Sequence, residues 1–140
     1  MPPITFLILG LAITGTYAGI EFILRRRRTR ELRALARTHS MHYCFGDRFR
    51  FASKIAEHFP VIGAADIRVR DLLYGSHDET HRYVFTVEFT KGVIRTKKRH
   101  SLVASFTEPR GQRKNRRIDL RFGDKSLTRV DQYRTLCHPG

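Results

Sequence analysis

At 140 residues the chain has room for one compact domain and an appendage. Its 27 Lys and Arg against 13 Asp and Glu leave a net charge of +14, an imbalance typical of contact with anionic lipid, nucleic acid or an acidic protein face. Two cysteines, Cys44 and Cys137, exclude a disulfide framework, and no internal repeat is present.

In chain order, the first element is PITFLILGLAITGTYAGIEFIL, Pro3 to Leu24, in which Glu21 is the sole charge. Its 22 residues make a helix of roughly 33 Å, enough to cross a hydrocarbon core of about 30 Å. Pro2 and Pro3 fall in the first turn, where proline is tolerated. Apolar residues occur all round, so a surface helix is a poor reading. Glu21 is one turn from Arg25, close enough to pair with it or reach the headgroup layer. Arg25, Arg26, Arg27 and Arg28 follow directly, then Arg30, Arg33 and Arg37. Basic residues on that flank place the amino terminus outside and the rest in the cytoplasm, as a single-pass protein of a cell inner membrane or plasma membrane. The arginines lie against anionic headgroups, each contributing on the order of 1 kcal/mol. Thr16-Tyr17-Ala18 resembles a signal-peptidase site, but the n-region lacks Lys and Arg and the arginine block opposes export. A transmembrane helix over 3–24 and a basic juxtamembrane helix over 25–40 are therefore expected. Within the span, Gly15 and Gly19 form a GxxxG pair, a candidate helix–helix contact for self-association or for docking on other membrane-protein subunits.

Residues 41–140 read as a cytoplasmic α+β domain. Leu32, Leu35, Ala36 and His39 keep helical spacing, so the anchor helix runs on toward the domain. MHYCF at 41–45 alternates as a short strand. Asp47 is a plausible N-cap for a helix over 48–59, with Phe49, Ala52, Ile55, Ala56 and Phe59 on one face and Pro60 ending it. Ile67, Val69 and Leu73 suggest a strand up to Gly75. HRYVFTVEFT at 81–90 is a clear strand with Tyr83, Phe85, Val87 and Phe89 on one side; SLVASF at 101–106 is its hairpin partner and RIDLRF at 117–122 a further strand. SLTRVDQYRTL closes the chain as a short helix. The fold class expected is α+β, one N-terminal transmembrane helix followed by a small antiparallel sheet with helices on one face. That arrangement turns the Thr86 side of the strand toward solvent.

Leu32-Arg33-Ala34-Leu35-Ala36, Met41-His42-Tyr43, Asp71-Leu72-Leu73-Tyr74-Gly75 and Val84–Phe89 occur in an order that resembles a group of poorly characterised bacterial single-span membrane proteins. The resemblance covers most of residues 20–110. It implies a span followed by a small cytoplasmic α+β domain, and no activity.

His77-Asp78-Glu79-Thr80-His81 puts aspartate where a zinc-protease helix needs glutamate, and it lies beside a strand, so a polar turn is the better reading. His39, His42 and Cys44, with Cys137 and His138, offer ligand types but not ligand spacing on one element. With no GxSxG, P-loop, GxGxxG or paired carboxylates, no enzyme, metal or cofactor is expected. The anionic-contact candidates are Arg25–Arg28 with Arg95, Lys97, Lys98 and Arg99 at the hairpin and Arg113, Lys114, Arg116 and Arg117 in the next loop. The expected function is a membrane-anchored interaction or accessory protein whose basic domain touches anionic lipid headgroups or a larger membrane assembly. The alternative is a membrane-tethered nucleic-acid binder, with sheet aromatics as stacking platforms.

Overall fold

The computed structural model describes residues 2–92, 98–111 and 119–137, apart from the His58 side chain. The chain divides into two compact units, residues 1–31 and 32–140. Helix α1, Pro3–Thr38, supplies all the secondary structure of the first unit and the entry to the second. Its apolar part is exposed, and α1 is long and apolar enough to cross a membrane.

The second unit begins at Leu32 rather than at Met41, because Leu32, Leu35 and Ala36 are buried in its core. α1 then stops on a Schellman turn. Ser40 takes the left-handed conformation (φ 55°), the Ser40 N–H reaches Arg37 O (3.2 Å), and the Met41 N–H reaches Ala36 O (2.7 Å). Met41 is carried over Gly75, where a Cβ would lie 3.0 Å from Met41 Cγ and 3.3 Å from Met41 Cα. Gly75→Ala is accordingly expected to lower stability by about 1–2 kcal/mol through overpacking, read as a shift in the denaturant midpoint of the full-length protein.

The sheet is an antiparallel meander in the order β1-β2-β3-β4-β5. Its strands are β1 His42–Cys44, β2 Ala65–His77, β3 Thr80–Lys91, β4 Lys98–Pro109 and β5 Arg121–Phe122. β2 and β3 join through Asp78-Glu79, both at positive φ (52° and 42°), as a two-residue type I′ hairpin turn demands. β2 carries two register irregularities, and each contains an aspartate at positive φ: Asp66 (49°) and Asp71 (51°). Aspartate tolerates that conformation better than most residues. The strand expected over 117–122 contracts to Arg121–Phe122 among the described residues, Arg117 and Ile118 lying outside them.

The α+β class and the antiparallel sheet are as the sequence indicates, but helices cover both faces of the sheet, not one. Helix α2, Phe51–His58, buries Phe51 and Ile55 against Val69, Leu72, Tyr83, Phe85, Val87, Ala104 and Phe106. On the other face the end of α1 and helix α3, Arg129–Cys137, bury Leu32, Leu35, Ala36, Tyr133 and Cys137 against Leu73, Val84 and Val103. Thr86 is thus only 1% exposed instead of solvated. Its hydroxyl meets Tyr133 Oη at 2.7 Å, and Tyr133 Oη donates to Asp71 O (2.8 Å) at the bulge, so α3 is tied to the sheet through polar groups that satisfy one another inside the core. Complete burial raises the Tyr133 phenol well above its usual range.

α2 starts at Phe51, three residues later than expected, after Arg50 in a left-handed conformation (φ 55°). Asp47 nevertheless caps it, accepting the Phe51 N–H (2.7 Å) and the Ala52 N–H (2.9 Å). α2 runs from Phe51 beside Tyr83 toward Phe59, which packs edge-on to Phe89 (5.1 Å). α3 runs from Arg129, bonded to Ser101 (2.8 Å), to Cys137, whose carbonyl accepts from Arg82 (2.7 Å). The end of α1 has that same direction. Arg33 lies over Tyr43 (5.4 Å), in the row with Leu73 and Val84, and the helix finishes beyond it at Gly75. Leu32 lies with Leu73, Val84 and Val103 in the core on the α3 side.

Candidate functional site

The arginine run is helical from Arg25 to Arg28. Consecutive helical residues are about 100° apart, so four in a row form a collar around the axis instead of a stripe. Arg25 approaches Glu21 (3.9 Å) and Arg27 approaches Glu31 (3.5 Å), both pairs exposed at i,i+4. Exposed pairs of this kind hold little energy and leave the collar strongly positive. Along the apolar stretch, Thr14 and Thr16 donate their hydroxyls to Gly10 O and Ala12 O (2.8 Å each), which satisfies those polar groups within the helix. Gly15 and Gly19 face open space, with no atom within 4 Å of an added Cβ.

Of the basic candidates on the folded unit, Lys98 and Arg99 are described; Arg95, Lys97, Arg113, Lys114, Arg116 and Arg117 lie outside the described residues. Arg99 is engaged within the sheet. Its Nη2 and Nε both donate to Glu88 Oε2 (2.8 and 3.2 Å), and Nη1 lies 3.6 Å from Asp66. Arg70 shares Glu88 (3.4 Å) and Arg68 shares Asp66 (3.3 Å). Three arginines thus hold two carboxylates across β2, β3 and β4, a network set by strand register that no local spacing announces. Lys98, by contrast, is exposed and sits directly opposite Lys91.

At the other end of the sheet the last turns of α1 and α3 border a cleft of about 240 Å³ with Ser76, His77, Arg82 and Cys137 in its wall. Its polar groups engage one another. Arg82 holds the Cys137 carbonyl, His77 Nε2 lies 3.2 Å from Asp78, and Ser76 Oγ meets His81 Nδ1 at 2.7 Å. Ser76 and His81 are cross-strand partners, so register explains that bond, and no carboxylate among the described residues orients the imidazole. His77 and His81 flank a hairpin turn, not a helix. Among the described residues no three His, Cys, Asp or Glu side chains form a metal cluster. Cys44 packs with the α2 face and Cys137 with the α3 face, so the sheet separates them.

Burial pushes the Cys137 thiol up to about 11. It is protonated at neutral pH and a poor nucleophile. In native protein at pH 8, a thiol-reactive disulfide reagent should label Cys44, which is half-buried, well before Cys137, with both reacting once denaturant is added. The same raised value sets an alkaline limit. The folded state binds this proton more tightly than the unfolded chain, so its contribution is complete below about pH 9 and is lost as pH rises toward 11.

No family model, curated protein or solved structure matches this chain.

Proposed function

We propose that the protein is a single-pass membrane-anchored interaction or accessory protein. Pro3–Leu24 spans an inner or plasma membrane, the amino terminus lies outside, and the basic domain works in the cytoplasm against anionic headgroups or a larger membrane assembly. The observation that carries this reading is the arginine collar, which follows an exposed apolar helix without a break in the helix. A collar suits a ring of headgroups around a span better than a one-sided protein groove. The role is non-catalytic in this proposal, and Gly15 and Gly19 provide the seam for packing against another span. The aromatic side chains that would stack on bases, Tyr83, Phe85 and Phe89, are buried, which weighs against a membrane-tethered nucleic-acid binder.

Two measurements test it. The full-length chain should resist alkaline carbonate extraction at its full mass, since a cleaved signal peptide would release a shorter, soluble product. A cytoplasmic-type reporter fused after Gly140 should be active and an alkaline-phosphatase-type reporter silent. The reverse pattern would overturn the orientation.

A further inference from the structure

Outside α1, Ile62 is the most exposed large apolar side chain among the described residues, at 92%. It stands in Pro60-Val61-Ile62-Gly63-Ala64, an uncharged turn between α2 and β2. The Ala64 N–H closes on Val61 O (3.4 Å), and Gly63 has the positive φ (79°) that a type II turn needs at its third position. Ile62 occupies the leading corner of that turn. A lone exposed isoleucine means little by itself; its surroundings are the argument.

The turn lies at one definite end of the folded unit. α2 delivers it beside Phe89, and Ala65, which follows it, pairs with Thr90. In the next position along β3, Lys91 faces Lys98. Like charges directly opposite each other repel, and an anion placed between them relieves that repulsion. The nearby carboxylates Asp66 and Glu88 do not fill this role, since Arg68, Arg70 and Arg99 already hold them.

We propose that the Pro60–Ala64 turn is an interfacial wedge, with Ile62 entering the headgroup–acyl boundary of an anionic bilayer while Lys91 and Lys98 hold lipid phosphates. The proposal rests on the anchor reading and adds to it which end of the domain meets lipid. An apolar tip beside two exposed, facing lysines suits an anionic membrane surface, where burial of Ile62 and attraction to headgroups act together.

The chain contains no tryptophan, so a single introduced one reports its own surroundings. Full-length Ile62→Trp and, as a control on the opposite end, Thr107→Trp are reconstituted into vesicles with brominated acyl chains. The vesicles are either pure phosphatidylcholine or a mixture with phosphatidylglycerol. Ile62→Trp should lose most of its emission and shift to the blue in the anionic mixture, and much less in pure phosphatidylcholine. Thr107→Trp should stay unquenched in both. Adding Lys91→Gln and Lys98→Gln to Ile62→Trp should restore the emission. An unquenched Ile62→Trp in a protein that still resists carbonate extraction overturns the wedge and leaves the anchor standing. So does equal quenching at both positions, or in both lipids. Extraction by carbonate would instead overturn the anchor reading, and the wedge with it.

Discussion

Phe85→Asp and Thr86→Asp should each abolish cooperative folding of the unit from Leu32 onward, although the two side chains point to opposite faces of β3. Phe85 is fully buried, its ring 6.0 Å from Phe51 and 5.9 Å from Phe106. Truncating a buried phenylalanine costs about 3–5 kcal/mol, and an unpaired buried carboxylate adds a further desolvation cost. Against a domain stability of about 5–15 kcal/mol that is enough to unfold it. Thr86 is nearly as buried, and its neighbours are the Tyr133 hydroxyl and, through it, the Asp71 carbonyl. A carboxylate there is desolvated, loses the hydroxyl that Thr86 offers Tyr133, and faces the oxygens of Tyr133 and Asp71. Because α1 would remain helical in a detergent micelle, total helicity is a poor readout. Trypsin is better: native protein should resist cleavage within β2–β4 while both variants are cut rapidly. Thr107→Asp, exposed on β4, should behave as wild type. A protease-resistant Thr86→Asp would mean that α3 and the end of α1 do not pack on that face.

The Thr86 case marks where local pattern ceases to inform. In Tyr83-Val84-Phe85-Thr86-Val87 the bulky aromatics announce one buried face, but Val84 and Thr86 are small and β-branched, and such residues serve a solvated face as well as a buried one. What buries them is α3 and Leu32–Ala36, contacts with partners far along the chain. The helical spacing of Leu32, Leu35 and Ala36 is visible in the sequence; the surface those residues cover is not. The bulges of β2 are hidden for a related reason. Val69 and Leu72 are three residues apart yet share the α2-side core, which the bulge at Asp71 allows and strict alternation hides. Among candidate contacts the arginine collar is legible because a membrane boundary is a matter of composition along the chain. The engagement of Arg99 by Glu88 is not, since it depends on which residues strand register sets side by side. Ile62 leaves no periodic trace; its signal is an uncharged Pro-Val-Ile-Gly-Ala in a strongly basic chain.

Replacing Arg25–Arg28 with glutamine should turn a uniform orientation into a mixture. Residues 1–24 contain no Lys or Arg, so the positive side is defined wholly by residues beyond Leu24. Basic residues set orientation when they lie within about 15–20 residues of the span. Removing four leaves Arg30, Arg33 and Arg37 in that window. The bias weakens without reversing, and the four sites together account for at most about 4 kcal/mol at an anionic leaflet. Glu21 adds little to either side, because acidic residues contribute weakly to this rule. In cells carrying the C-terminal fusions, the variant should therefore give activity from both reporter types, where the proposed orientation has the native chain give the cytoplasmic one alone. Lysine at the same four positions should restore the native pattern, because the effect is one of charge and not of guanidinium geometry. A variant with four glutamines that keeps a single orientation would assign the decision to the folded domain, which resists translocation whatever the charge beside the span.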